Sequence, residues 1–558
     1  MKTRLSVLVL VALLLAPSLC FANESMGTPA ARAEFEKGWA AQLSGDFGSA
    51  AEAYKRAINI DPDFAEAHGN YIFTSQLAVS KQFQNELTNQ SADDSKGREE
   101  QERQAGIKVR EKLHLEYEQS SRQHPDKAVY QWALALLNLE TDPNAAERYA
   151  RAALKIDPAF APAFNALSIV EGARGDVVAS REDLRKAIEA NPKNPQYLFN
   201  YAYELRDVNL EESLRLLTRL LKEFPDSESA VSALYVLSDQ AETSEEKIHY
   251  LEMLKAKFPP SKSEISEGGM MKLFGLYDKT DRKKALALAQ EIKEAKPKDE
   301  YWASAAKYEE QIIAAKKLLD DGNPKGAIEL LSRVQLPSFF DHAGLDILRA
   351  RAEEKSGNVE KAYADLTKIF ATEPTDDLQS AITRLGDKLR KSPKEINTDV
   401  LRIRDANTKP AREFTLFGYG SRKQVSLSEF KGRVVLLNFW FPECGPCHEE
   451  FPYLRAVLEK YKDQGFSVIA INIVPAQDDL VLSSLKGYGL DFTPAQDDKK
   501  VSAAYGVGGV PANYLIGADG RVWFHPHLPI SDSSRQRSLE LQIESLLRLK
   551  DAKLNDEK

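Results

Sequence analysis

Three patterns of apolar and polar positions follow one another along the chain. Residues 1–22 hold Lys2 and Arg4, an apolar run from Leu5 to Ala16, and a helix-breaking Pro17. From about residue 30 the chain repeats itself with a period near 34. Gly38, Ala50, Tyr54, Ala57 and Pro62 stand at spacings of 12, 4, 3 and 5. The frame recurs with Ala146, Ala153 and Pro158, then with Gly175-Asp176, Ala187 and Pro192, 34 residues after the preceding proline. Phe224-Pro225 and Phe258-Pro259 continue it, and Gly357-Asn358, Ala362, Leu366 and Pro374 fit again. Small residues let paired helices approach, Tyr54 fills the space between them, and each proline stops a helix. The polar stretch 80–110 breaks the frame, as an insertion or an extended, solvated helix. After Pro410 the pattern changes to strands alternating with helices, with Val434–Trp440 as a buried strand.

The repeated segment resembles the tetratricopeptide repeat, two helices meeting at a Gly45-Asp46 turn and closed by Pro62. The resemblance covers residues 30–400, strong at both ends and weak between 260 and 340, with room for about eight to ten units. It implies a stacked solenoid whose concave face holds a protein or peptide partner, or a spacer that carries the next domain.

Composition and charge narrow the classes. A chain of 558 residues holds three or four domains or one long array, and 43% hydrophobic residues can build packed cores. A formal charge of −9 argues against a nucleic-acid binder, which needs a basic face. Three cysteines are too few for a disulfide scaffold. The leading segment has the charged start and short apolar core of a secretory signal peptide, and falls short of the roughly 18–20 apolar residues of a spanning helix. Cys20 and Ala22 supply small residues for a cut before Asn23, so Cys20 leaves with residues 1–22. The rival is a lipid anchor on Cys20, against which Pro17 and Leu19 occupy the places where a lipobox has Leu and Gly or Ala. The expected location is the periplasm or cell envelope.

The remaining cysteines carry the chemistry. The strand Val434–Trp440 breaks at Phe441-Pro442-Glu443 and delivers Cys444-Gly445-Pro446-Cys447 to the start of a helix expected over 448–461. Free N–H groups and the dipole at a helix start favour a thiolate on the first sulfur. Cys444, at the exposed mouth, is the expected nucleophile, and Cys447, one turn in, the resolving thiol. Gly445 and Pro446 shape the turn, and Pro446 offers no N–H, which limits thiolate stabilisation and keeps the dithiol reducing. Three other readings remain: a static local disulfide, half of a zinc site without a second ligand pair, and c-type haem attachment through Cys444-x-x-Cys447-His448. Against haem, every methionine lies far upstream, at 1, 26, 253, 270 and 271. A second strand is expected over 466–474, and a hairpin of 512–516 and 522–524 turns at Asp519-Gly520.

The block 411–454, AREFTLFGYGSRKQVSLSEFKGRVVLLNFWFPECGPCHEEFPYL, with YGVGGVPANYLIGADGRVWF at 505–524, resembles the TlpA/ResA class of extracytoplasmic thioredoxin-fold proteins. The resemblance implies a cis proline opposite the cysteines at Pro511, which exposes the Val510 backbone to a bound peptide and keeps metal from the thiols. It also implies that residues 480–505 are an extra strand and helix. The chain departs from thioredoxin at Asn438, where a buried Asp would deprotonate the second cysteine, and at Glu443, in place of a Trp. Asn cannot titrate, so Glu443 or a water is the expected proton carrier, and the Glu443 charge raises the Cys444 pKa. Trp440 is expected to pack beneath the active-site turn. His525 and His527 are expected as surface residues of a loop.

These readings converge on an all-α tetratricopeptide solenoid followed by an α/β thioredoxin-like domain. The expected limits are signal peptide 1–22, array 30–400, linker 401–409, redox domain 410–550 and polar tail 551–558. The expected activity is thiol:disulfide exchange, with a redox-active Cys444–Cys447 disulfide and no metal or organic cofactor. The expected partners are client protein or peptide disulfides, an upstream dithiol reductant and a protein on the repeats. The alternatives are an adaptor with a secondary redox domain, and a thiol peroxidase, whose usual nucleophile segment is absent before Cys444.

Overall fold

Helix pairs closed by tight turns account for the described residues between 29 and 407. A computed structural model describes residues 27–87, 95–139, 141–206, 208–259, 264–336, 343–420, 423–524, 529–530 and 532–556. Residues 1–22, expected as a signal peptide and holding Cys20, and His525 and His527 lie outside them. In the first pair, Pro29–Leu43 and Phe47–Ile60, Gly45 has a φ of +77° and the Asp46 side chain accepts from the Ser49 N–H. That is the left-handed turn and capped start the Gly-Asp dipeptide predicts. A Cβ on Gly38 would lie 2.8 Å from the Tyr54 ring, so the small residue sets how closely these helices approach. Asp142 and Asp176 cap later helices in the same way.

The described parts of the stretch that breaks the repeat frame, 80–87 and 95–110, fall on two helices, Ala65–Leu87 and Ser95–Gln123. The second buries Leu113 and Tyr117, and the Tyr117 hydroxyl lies 2.9 Å from Nδ1 of buried His68. Paired helices also continue through 264–336, where the repeat signal is weak. There Gly322, with φ +73°, precedes Asn323, which caps Pro324–Ser332 by accepting from Gly326 N–H at 3.0 Å.

The chain divides into two compact units between Ser266 and Glu267. In the second unit the last helices before the sheet are α1 (Asp376–Lys388) and α2 (Pro393–Asn407). Strands β1 (Lys409–Pro410), β2 (Thr415–Gly418), β3 (Gln424–Ser426) and β4 (Val434–Trp440) follow, then helix α3 (Gly445–Tyr461) and β5 (Phe466–Asn472). Helix α4 (Val481–Gly487), β6 (Thr493–Gln496), α5 (Lys500–Ala504), β7 (Ala512–Ile516), β8 (Arg521–Phe524) and α6 (Ser533–Asp556) complete the chain. The sheet order is β1-β8-β7-β4-β5-β6-β2-β3, with β4, β5 and β6 parallel and β7 antiparallel to β4. All seven β4 residues are buried because both faces are covered. Val434, Leu436 and Trp440 pack towards Phe451, Leu454, Leu539 and Ile543 of α3 and α6, while Val435, Leu437 and Phe439 pack with Phe414, Leu427, Ile469 and Ile516.

The expected linker 401–409 is instead the end of α2 and the start of β1. Arg404 is 5% exposed and donates to the carbonyls of Ala371 (2.9 Å) and Phe370 (3.3 Å) and to Ser545 Oγ (2.5 Å). Arg537 of α6 pairs with Asp376 of α1, and Arg521 of β8 with Asp405 of α2. Likewise, the tail expected from 551 is helical to Asp556, as an extension of α6.

A buried dithiol turn and its carboxylates

The break between β4 and α3 places the cysteines. The φ and ψ of Cys444 are extended, and it is the N-cap of α3, its Sγ accepting from the Cys447 N–H at 3.3 Å. Gly445 and Pro446 begin the helix, where a residue without an N–H costs no hydrogen bond. Cys444 and Cys447 are joined in a disulfide with Cα atoms 5.3 Å apart. Cys444, expected at an exposed mouth, is only 3% exposed in this disulfide form, and Cys447 is fully buried. Both belong to the apolar cluster that includes Trp440 and Phe451, whose rings meet edge to face at 5.3 Å. The Val510–Pro511 peptide bond is cis, and Val510 is half-buried beside the same cluster.

Two side chains hold the turn just ahead of Cys444. His448 Nε2 lies 2.6 Å from the Pro442 carbonyl, so this ring nitrogen carries the proton and donates. In this form the two sulfurs are bonded to each other and the His448 ring is engaged with the turn. On the other side the Glu443 N–H donates to Gln477 Oε1 at 3.1 Å, and Gln477 Nε2 donates to the Glu443 carboxylate at 2.5 Å. Burial, and then the Asp479 charge, push the Glu443 pKa up.

A second carboxylate lies deeper. Glu450 is fully buried one helical turn beyond Cys447 on the same face of α3. One oxygen accepts from Asn513 Nδ2 and from the Ile530 N–H at 3.3 Å, the other from Asn438 Nδ2 at 3.4 Å. Asn438 Nδ2 also donates to Asn513 Oδ1 at 2.9 Å. Burial pushes the Glu450 pKa up to about 7, against the pull of these three donors. The sequence reading passed over Glu450, Asn513 and Gln477. A signal for the first exists: the buried positions of α3 run Cys447, Glu450, Phe451, Leu454, Val457, Leu458 and Tyr461, and a carboxylate fills one slot of an apolar stripe.

Known proteins resemble this part of the chain. The redoxin family matches residues 406–531, and a tetratricopeptide repeat matches 31–64. The thiol-disulfide oxidoreductase ResA of Geobacillus kaustophilus is 32% identical over 122 residues, which are 22% of this chain and 67% of that protein. The chain belongs to the ResA-type thiol-disulfide oxidoreductases. ResA of Bacillus thuringiensis is 40% identical over 101 residues, 18% of this chain, and the chain spans 58% of that relative's length. A thiol:disulfide interchange protein DsbE from Chlorobium tepidum is 35% identical, over 25% of this chain and 96% of that one, with a TM-score of 0.23. The ResA-type part is the C-terminal α/β domain, and the helical repeats precede it.

Proposed function

We propose that this ResA-type chain is an exported reductase of client protein disulfides, with its repeats as the surface that holds a partner. The observation that carries the reading is the cysteine pair at the start of α3, one turn from buried Glu450. In the reduced pair the Cys444 thiolate attacks one sulfur of a client disulfide, and the first client thiolate leaves and takes up a proton. Glu450 accepts the Cys447 proton along the buried face, the role that Asn438 cannot fill. The Cys447 thiolate then attacks Cys444 Sγ and expels the second client thiolate, leaving the client reduced by two electrons and the pair as a disulfide. An upstream dithiol restores the pair by the same exchange. The Val510 backbone beside cis Pro511 is the edge on which the client strand lies, and Trp440 is the floor of the turn. Export is supported by the charged start and apolar core of residues 1–22.

Reduction of insulin disulfides with dithiothreitol as donor tests the reading. Wild type should accelerate precipitation of the insulin B chain, and Cys444→Ser should fall to the uncatalysed rate. Equal rates for the two would overturn the reductase and leave the adaptor.

A further inference from the structure

The loop after β5 is built more firmly than a connection requires. Its 3₁₀ turn spans Pro475–Leu480. Asp478 accepts from the Tyr419 hydroxyl, from Gln496 Nε2, and from Asn472 Nδ2 at 2.9 Å. Asn472 in turn accepts from the Val474 N–H at 3.0 Å. These bonds pin the loop to β5, to β6 and to Tyr419, the residue just after β2. The next side chain along, Gln477, then reaches across the active-site turn and grips Glu443 twice, by its backbone N–H and by its carboxylate. A single exposed carboxylate next to a cysteine would ordinarily rotate into water. Glu443 is held at its backbone N–H and at one carboxylate oxygen by an amide that is itself mounted on a fixed loop.

We propose that Gln477 is a positioning residue for the dithiol, fixing the Glu443 carboxylate beside Cys444 and so keeping the pair reducing. This rests on the dithiol reading above and extends it to what sets the potential. A fixed negative charge beside Cys444 opposes the thiolate that the start of α3 favours. The dithiol form is thereby less stabilised, and the pair gives up its electrons more readily. Without Gln477 the carboxylate either swings into solvent or takes up a proton against Asp479, and both remove charge from the neighbourhood of Cys444. The other ionisable groups flanking Glu443 on the loop and on α3 are Asp478, whose carboxylate is spent on the sheet, His448, which donates to the Pro442 carbonyl, and Glu449.

The test is a double-mutant cycle on the full-length protein, read without any client. The Cys444 pKa comes from the pH dependence of iodoacetamide alkylation, and the redox equilibrium from titration against oxidised and reduced dithiothreitol. Gln477→Leu should lower the Cys444 pKa by roughly 0.5–1 unit, and Glu443→Gln should do the same. At pH values above both pKa values the redox equilibrium should move about three- to tenfold towards the dithiol. In the Glu443→Gln background the Gln477→Leu change should add nothing. A wild-type pKa in Gln477→Leu, or an equal shift in both backgrounds, would overturn the proposal. Gln477→Ala, which removes the amide without adding a bulky apolar group, is the parallel variant should Gln477→Leu fail to fold, and it is judged by the same outcomes. A loss of stability alone would move neither readout. Failure of insulin reduction would overturn the client reading and leave this result standing.

Discussion

Glu450 is the residue on which stability and turnover meet. Its folded pKa of about 7 lies above the ordinary carboxylate value of about 4.5. A carboxyl raised by burial contributes stability that is full below the unfolded pKa and is lost as pH rises through the folded one. The oxidised protein should therefore lose stability between about pH 4.5 and 7, and Glu450→Gln should flatten that slope in thermal melts. The variant carries its own cost of about 1 kcal/mol, because the new amide nitrogen faces the Asn438 donor. In turnover, Glu450→Gln should slow insulin reduction at pH 7 by roughly a hundredfold, the usual worth of a positioned general base. It should also accumulate the Cys444 mixed disulfide, visible on non-reducing gels. A rate within twofold of wild type would leave Glu450 without a part in the chemistry. The cysteines were legible because their signal is local, four residues at the break between a strand and a helix. The Glu450 cluster was not, since its partners Asn438, Asn513 and Ile530 are 12, 63 and 80 residues away.

At the scale of elements, one buried cation joins three helices. Arg404 sits in α2 and donates to two carbonyls in the last turn of Val359–Thr372, where a cation also meets the negative end of the helix dipole. Its third bond reaches Ser545 of α6, and its guanidinium lies 4.9 Å from the Phe524 ring centroid of β8. Burial, and then the Arg548 charge, lower its pKa to about 10, so it remains charged at neutral pH. Arg404→Ala leaves two buried carbonyls and a hydroxyl without their donor, and should cost about 2–4 kcal/mol by urea unfolding. Arg404→Lys should recover only part, because a single ammonium cannot span the three acceptors. A change under about 0.5 kcal/mol for Arg404→Ala would show that the helices hold without it. The sequence around Arg404 looks like a linker because its buried group is a charge, and composition alone separates no buried guanidinium from a solvated one. The helical stretch 264–336 was obscured for a different reason. Its turns keep the capping residues, as at Gly322-Asn323, while the small residues between helices leave the 34-residue frame.

For the whole molecule, scarcity of thiols is a chemical property of the chain. If residues 1–22 are removed on export, the only cysteines left among 536 residues are the two of the dithiol turn. Thiol–disulfide exchange needs only an accessible thiolate and a disulfide sulfur, so a third thiol in an oxidising compartment would compete for Cys444. A helical array without cysteine offers a client disulfide no thiol of its own to trap it. The alternative, a lipid on Cys20, keeps that residue but blocks its sulfur as a thioether. Intact mass and thiol counting on protein isolated from the cell envelope separate these. Cleavage before Asn23 should give the mass of residues 23–558, no reactive thiol as oxidised protein and two after reduction. A mass that begins at Cys20 with added acyl chains, still with two titratable thiols after reduction, would make the protein a membrane-anchored reductase. A third titratable thiol would mean that the segment is retained uncleaved, and would overturn the argument that the array and the active site share a chain free of competing sulfur.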